Sequence, residues 1–281
     1  MTNFQTRIVM QLIRILNLTE YICNYFFVFV RSKILATREN VDSLNSPNGW
    51  EKLYLSKIKP IDAINTEGVS KLISLTDVNE TMLETGCGSG TLSAELSLSG
   101  RKVAVCDFSQ PILNRVKLLF DISKLPVPET YLLDLTKHLP FSDGQFDVVW
   151  NSGVLEHWTD EELQPIVKEL ARCAKRCVIS LVPNERSLLY RFGREAAEAH
   201  GICPWGREIP RSSLREIFEQ ADLINIMEMT IHLNDAPNLI SFIDPVFYKK
   251  IKKWWNLIPD SDPVKENQGY LLLTIGYKRN I

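Results

Sequence analysis

The segment Met82-Leu83-Glu84-Thr85-Gly86-Cys87-Gly88-Ser89-Gly90 constrains the fold of this chain more than any other stretch. A short apolar run that contains an acid leads into glycines at alternate positions, and the residues after them favour a helix. Glycines suit such a turn because the backbone must bend sharply and come close to a ligand, where a side chain at Gly86 or Gly88 would collide with it. The pattern therefore predicts a strand, a ligand-binding loop and a helix.

Dinucleotide-binding folds use a similar turn to place a pyrophosphate at a helix N-terminus, and they are the alternative for this loop. Their third glycine falls one position later, where this chain has Thr91, and they need no acid two residues before the first glycine. Glu84 occupies that acidic position. A carboxylate there suits a cationic ligand and would repel a pyrophosphate, so the loop favours the cation.

Two further predicted strands also end at an acid. Lys102 to Cys106 is an apolar run followed by Asp107, and Thr130 to Leu133 is followed by Asp134. Each acid taken alone could be a helix cap or a turn residue. Because open α/β sheets bind ligands at the carboxyl ends of their parallel strands, the three acids together predict one ligand-binding edge.

These motifs in this order resemble those of the class I S-adenosylmethionine-dependent methyltransferases, in particular the methyltransferase type 11 group. The resemblance covers about residues 80–183, and it includes the string from Asn151 to Trp158 that follows the predicted fourth strand. It implies an α/β fold with a Rossmann-like, seven-stranded and mostly parallel sheet that has helices on both faces and an antiparallel last strand. It also implies S-adenosyl-L-methionine as the cofactor.

The resemblance assigns cofactor-binding positions in this sequence. Asp107 would bind the ribose hydroxyls, Phe108 would lie against the adenine, and Asp134 would bind the adenine amino group. Tyr54 is a candidate because an aromatic side chain before the first strand often reaches the cofactor in this family, with core packing as its alternative. The full set is Tyr54, Glu84, Gly86, Cys87, Gly88, Gly90, Asp107, Phe108, Asp134, Leu135 and Asn151.

Methyl transfer from a sulfonium requires a nucleophile held in line with the methyl group, and a base only when the nucleophile must lose a proton. His157 is the first candidate for that base, because it follows the fourth strand and titrates near neutral pH. Its alternative role is to hold local structure beside Trp158. His200 and Tyr190 are further candidates, because we expect substrate contacts in residues 185–210.

Several classes of function are excluded or disfavoured. The string after strand four lacks the N/D-P-P-Y/F and Pro-Cys motifs of base-modifying methyltransferases, and a net charge of −2 disfavours a nucleic-acid partner. The six cysteines form no C-x-x-C pair or zinc-type spacing, so we expect a cytoplasmic protein without a metal. A small-molecule or lipid-like methyl acceptor is the preferred interpretation. A peptide or protein methyltransferase and a non-catalytic cofactor-binding subunit are the alternatives.

The domain organisation is predicted as a helical arm over residues 1–48 and a methyltransferase domain over 49–281. Residues 232–268 form an insertion between the last two strands, which usually connect through about 2–5 residues. Residues 8–35 are apolar enough for a helix that packs on the domain, with peripheral membrane contact as the alternative. Residues 246–256 interleave lysines with aromatics, which fits a membrane surface, an acidic substrate or a solvated helix face.

Overall fold

A mostly parallel sheet organises the protein. The computed structural model describes residues 50–51, 54, 58–199 and 208–279, so the arm predicted over residues 1–48, with its membrane contact at residues 8–35, lies outside the described part. The sheet has seven strands in the order β3-β2-β1-β4-β5-β7-β6. They are β1 (Thr81–Thr85), β2 (Lys102–Asp107), β3 (Glu129–Leu132), β4 (Phe146–Ser152), β5 (Ala174–Pro183), β6 (Ile224–Ile231) and β7 (Leu271–Tyr277).

The direction of the strands confirms the predicted fold class. Strands β1 to β5 pair in parallel, and β7 runs antiparallel between β5 and β6. The strand order reverses at β1, where β2 pairs on one side and β4 on the other. In open α/β sheets such a reversal leaves a crevice at the carboxyl ends of the strands, which is where ligands bind.

Helices cover both faces of this sheet. They are α1 (Glu67–Leu75), α2 (Thr91–Leu98), α3 (Gln110–Ile122), α4 (Asp160–Cys173), α5 (Leu188–Ala199), α6 (Arg215–Gln220) and α7 (Pro245–Trp255). Within the described ranges, no helix is long and apolar enough to cross a membrane.

Burial on both faces explains why the central strands read as continuous apolar runs. In β4, Val149 packs into a core with Leu163 and Leu170 of α4, while Trp150 faces the opposite core with Leu72 of α1. All of these side chains are fully buried. Parallel sheets with helices on both sides have this composition because neither face meets water.

Helices α3 and α4 begin at sequence-encoded caps. The Ser109 hydroxyl accepts the backbone N–H of Ile112 at 3.3 Å, and Pro111 stands in the first turn of α3. Thr159 and Glu162 form a capping box at the start of α4, with the Thr159 N–H donating to Glu162 at 2.8 Å. These bonds satisfy amides that a helix N-terminus leaves free, so they set where both helices start beside the ligand edge.

The insertion between β6 and β7 is a folded unit. Its helix α7 is anchored by Trp255, which is buried and donates its indole N–H to the Leu233 carbonyl at 2.6 Å. The ammonium of Lys265 is 1% exposed and donates to Asn234, Ile258 and Asp260 at 2.9, 3.1 and 2.6 Å. A buried ammonium is tolerated only when its donors are satisfied, so these bonds hold the returning chain against α7.

We expect Gly269→Ala to destabilise the fold more than Gly144→Ala does. A Cβ on Gly269 would lie 2.3 Å from the Ile231 carbonyl oxygen, so backbone would have to move, and overpacking of this kind should cost about 3 kcal/mol or more. Gly144 has a φ of +65° but nothing closer than 3.6 Å, so its variant should lose only roughly 1–2 kcal/mol. Urea denaturation of both variants measures the difference, and equal losses would contradict the expectation.

Candidate functional site

A cavity of about 800 Å³ opens at the carboxyl ends of β1, β2 and β4. Most of the predicted cofactor positions line it, namely Tyr54, Glu84, Gly86, Cys87, Gly88, Asp107, Phe108, Asp134 and Leu135. The predicted base His157 lines it as well. Gly90 and Asn151 are not part of the lining. These residues come from the ends of β1, β2, β3 and β4 and, for Tyr54, from the segment before β1. The fold brings them together at one edge of the sheet.

The glycines of the loop are required by its geometry. Gly88 has a φ of +47°, and a Cβ there would lie 3.0 Å from the ring of Tyr54, which lies on the loop. Gly90 has a φ of +72° and is the N-cap of α2, where a Cβ would lie 2.7 Å from Val116 of α3. The lack of a side chain at Gly88 thus leaves room for the Tyr54 ring beside the loop, whereas the lack of one at Gly90 allows α2 and α3 to pack closely.

Asp107 connects the loop to the end of β2. Its carboxylate is 4% exposed and accepts the backbone N–H groups of Gly88 and Ser109, both at 3.1 Å. Burial raises the pKa of Asp107 above its ordinary value, and the amide hydrogen bonds oppose that rise. A carboxylate held by two backbone amides has a defined direction, so its oxygens can act as fixed acceptors at the cavity wall.

Glu84 is a buried carboxyl group on β1. It is 3% exposed, and the Ser93 hydroxyl donates a hydrogen bond to it. Burial raises its pKa to about 8, against the lowering effect of the Ser93 bond, and the neighbouring charge of Asp107 raises it further. A cation in the cavity would reverse this effect, because an opposite charge nearby favours the ionised carboxylate.

Aromatic side chains lie over the cavity. Trp50 stacks on Tyr54 with ring centroids 5.8 Å apart, and its ring meets the edge of His157 at 5.1 Å. Burial, followed by the charges of nearby acids, raises the pKa of Tyr54 to about 12, so its hydroxyl stays protonated. Phe108 is 42% exposed at the cavity, an exposure that leaves its ring accessible to a flat ligand.

Asp134 takes part in a local turn as well as in the cavity wall. Its Oδ1 accepts the N–H and the hydroxyl of Thr136 at 2.9 and 2.7 Å. Burial raises its pKa, but the two bonds from Thr136 and the charge of Lys137 together outweigh burial, so the pKa of Asp134 lies below its ordinary value. The alternative interpretation of Asp134 as a turn acid is therefore compatible with the structure, and the residue is exposed and lines the cavity as well.

Asn151 differs from its predicted role as a cofactor contact. Its side chain is fully buried within the sheet and accepts the Ser180 hydroxyl at 2.7 Å. Asn151 and Ser180 are register partners on β4 and β5, which places the two side chains side by side, while the Asn151 Nδ2 is buried without a hydrogen-bond partner among the described residues. Ser152 and Gly153, the next residues along, line the cavity.

Residues that sequence reasoning did not single out also line the cavity, among them Trp50, Trp158 and two acids, Glu156 and Glu208. Glu156 stands beside the predicted His157, and Glu208 lies in residues 185–210, where substrate contacts were expected. Tyr190 is fully buried outside the lining and donates its hydroxyl to Glu208 at 3.1 Å. His200 lies outside the described residues.

Known proteins share this domain. A family model described as a methyltransferase domain matches residues 83–179. An uncharacterized methyltransferase of Synechocystis sp. is 35% identical over 95 residues, which are 34% of this chain and 42% of that protein. An uncharacterized methyltransferase of Schizosaccharomyces pombe is 25% identical over 215 residues, 70% of this chain and 80% of that protein.

A solved structure shares the fold. The magnesium protoporphyrin IX methyltransferase of Synechocystis, crystallised with bound SAH, superposes with a TM-score of 0.50 at 16% identity, over 75% of this chain and 80% of that one. The strand order, the glycine loop and the acids at the strand ends define a class I, S-adenosylmethionine-dependent methyltransferase fold. The match to the methyltransferase domain covers residues 83–179 of this chain, the part that holds the glycine loop and the sheet from Leu83 of β1 to Ile179 of β5.

The residues of the cavity fit the cofactor of this class, S-adenosyl-L-methionine. Its ammonium and sulfonium groups are positive, and Glu84 is a buried carboxyl group without a cationic partner among the residues that line the described cavity. Its ribose hydroxyls match the fixed acceptor that Asp107 provides. Its adenine needs a flat apolar surface, which Phe108 offers.

We expect cofactor binding at pH 7 to release a proton from Glu84. With a pKa of about 8 in the free protein, this carboxyl is mostly protonated at pH 7, and a bound cation favours its ionised form. Calorimetric titration in two buffers of different ionisation enthalpy measures the release, and affinity should rise between pH 6 and 8. Glu84→Gln should lose the release, whereas Asp134→Asn should keep it. Equal proton release in wild type and Glu84→Gln would contradict this assignment.

Proposed function

We propose that this protein transfers a methyl group from S-adenosyl-L-methionine to a small-molecule or lipid-like acceptor. The observation that carries the proposal is one cavity containing two separate groups of acids. Glu84 and Asp107 stand at the glycine loop, while Glu156 and Glu208 stand after β4 and after α5. Glu84 and Asp107 would bind the cofactor, and Glu156 and Glu208 would be available to bind an acceptor in the same cavity.

The chemistry follows from the electrophilic methyl carbon that a sulfonium supplies. A lone pair on the acceptor forms the new bond to that carbon as the carbon–sulfur bond breaks and its electron pair stays on sulfur, giving S-adenosylhomocysteine. The protein has to orient both reactants and exclude water. Glu84 and Asp107 would orient the cofactor, and Trp50 and Tyr54 would cover it, since both rings line the cavity.

His157 is the proposed general base for an acceptor that must lose a proton. It stands in the 3-10 turn Leu155–His157 at the cavity wall. Its ring packs against Trp50, a contact that supports the alternative of a structural role equally well. Whether His157 moves a proton is therefore separable from the methyltransferase assignment by a pH profile of the His157→Gln variant.

The assignment is tested by cofactor turnover. Wild-type protein supplied with S-adenosylmethionine and a small-molecule cell extract should form S-adenosylhomocysteine, measured by mass spectrometry. Asp107→Ala should bind the cofactor at least about tenfold more weakly, because it removes charge-assisted hydrogen bonds worth roughly 1.5–3 kcal/mol each. Asp121→Ala, an exposed acid on α3, is the matched control and should behave as wild type.

The outcomes separate the alternatives. Cofactor binding without turnover in any small-molecule extract would favour the non-catalytic subunit, and turnover only with the protein fraction would favour a peptide or protein acceptor. Failure of a folded wild-type protein to bind S-adenosylmethionine would contradict the proposal itself.

We also propose that the protein is cytoplasmic and contacts a membrane through α7. The outer face of the helix and the residues after it expose four apolar side chains, Val246, Phe247, Trp254 and Leu257, which are 41–75% exposed. Lys250 and Lys253 stand on the same face by helical spacing and are exposed. Apolar side chains beside lysines are typical of a helix that lies at an anionic lipid surface.

Vesicle flotation tests this contact. Wild-type protein should float with vesicles that contain an anionic phospholipid and less with neutral vesicles, since each lysine near an anionic surface contributes about 1 kcal/mol. Phe247→Ser combined with Trp254→Ser should abolish flotation. Val78→Ser combined with Val127→Ser, which removes equally exposed side chains elsewhere, should not. Unchanged flotation of the α7 variant, or no flotation of wild type, would contradict the contact.

A further inference from the structure

Acidic side chains occur along the described cavity wall, from the ends of β1, β2 and β3 to the segments that hold Glu156 and Glu208. Its lining contains five carboxyl groups, those of Glu84, Asp107, Asp134, Glu156 and Glu208, and no lysine or arginine among the described residues. S-adenosylmethionine carries one net positive charge. Its positive groups, its ribose hydroxyls and its adenine amino group would account for Glu84, Asp107 and Asp134. Glu156 and Glu208 remain for the second reactant.

Glu156 is the least satisfied of these acids. It is 1% exposed, and its Oε2 atom is buried without a hydrogen-bond partner in the described part of the protein. Arg211 is close enough to lower its pKa, but the terminal nitrogens of that guanidinium donate to Asp160 and to the Trp158 carbonyl, and its Nε makes no hydrogen bond within the described residues. A buried carboxylate oxygen without a donor is costly, and a ligand N–H in the cavity would satisfy it.

Glu208 stands beside Glu156. The N–H of Ile209 donates to the Glu156 carbonyl at 2.7 Å, and this bond joins the two segments. Glu208 is 7% exposed, and the Tyr190 hydroxyl donates to it at 3.1 Å. The Arg194 guanidinium of α5 forms an ion pair with Glu208, with 3.7 Å between Nε and Oε2. Tyr190 and Arg194 thus hold Glu208, which also lines the cavity.

We infer that Glu156 and Glu208 form the acceptor-binding subsite and that the acceptor is an amine, bound through its N–H groups. This inference rests on the proposed function. An ammonium places positive charge and several donors between two buried carboxyls, and charge-assisted hydrogen bonds are roughly twice as strong as neutral ones. An alcohol offers one neutral donor. A carboxylate acceptor would add a further negative charge to a wall that has no described lysine or arginine.

The same pair can prepare the amine for reaction. An aliphatic amine is protonated at neutral pH and has no lone pair until an N–H bond breaks. When it breaks, the electron pair stays on nitrogen and the proton forms an O–H bond on one of the two carboxylates. Burial raises the pKa of Glu208 to about 7, and burial together with the charge of Glu208 raises that of Glu156 well above its ordinary value. A carboxyl with the pKa of Glu208 can accept and return a proton near neutral pH.

Matched probes test the subsite in the full chain saturated with S-adenosylhomocysteine. Tryptamine, tryptophol and indole-3-acetate share one skeleton but carry an amine, an alcohol and a carboxylate. Benzylamine, benzyl alcohol and benzoate form a second series. Calorimetry should show each amine binding about tenfold or more tightly than its alcohol, with the carboxylates weakest. Glu156→Gln and Glu208→Gln should each reduce amine affinity about tenfold, whereas Glu161→Gln, an exposed acid on α4, should not.

The controls separate this inference from the function on which it rests. Every variant should bind S-adenosylhomocysteine as tightly as the wild-type protein does. If the wild-type protein itself does not bind S-adenosylhomocysteine, the proposed function is overturned, and the subsite with it. With that binding intact, the subsite is overturned if the amines bind no better than the alcohols or carboxylates, including no binding at all. It is also overturned if Glu156→Gln leaves amine affinity unchanged.

Discussion

The capture of the Asp107 carboxylate by two backbone amides is the interaction on which the site depends. It ties the glycine loop after β1 to the end of β2 and to the start of α3, through Gly88 on one side and Ser109 on the other. The reversal of strand order at β1 supplies the crevice, and this bond gives the crevice a defined wall. Ser109 caps α3 with its own hydroxyl, so helix position and loop position are coupled.

Electrostatics link the stability of the fold to its ligands. The pKa of Glu84 is about 8 in the folded protein against an ordinary 4.5, so the folded state holds this proton more tightly than the unfolded chain does. The free protein therefore loses stability as pH rises through that interval. A bound cation offsets the loss because it favours the ionised carboxylate only in the folded state. The same reasoning applies to Glu156, so both ends of the cavity favour positive groups.

Helix α5 and the insertion between β6 and β7 pack against each other near one end of the cavity. Gly193 of α5 allows the insertion to approach closely, since a Cβ there would lie 2.8 Å from Leu239. Helix α5 in turn holds Tyr190, which supports Glu208. The insertion, α5 and the acidic subsite thus form one packed unit, with α7 at its outer surface. A change in the insertion can therefore alter the part of the cavity near Glu208 without contact to the glycine loop.

The sequence by itself determined the fold class and placed glycines and three acids at one edge of the sheet, because these depend on local patterns: apolar runs, glycines at fixed spacing, and an acid at the end of three strands. It also located the insertion. Only the tertiary structure decided which side chains face the cavity. Asn151 is not part of the cavity lining and bonds Ser180, its register partner on β5, and no local pattern encodes that contact. Glu156 and Glu208 come close in space because the hydrogen bond from the Ile209 N–H to the Glu156 carbonyl joins two segments that are distant in sequence. Their pKa values are raised by burial, which exists only in the folded protein.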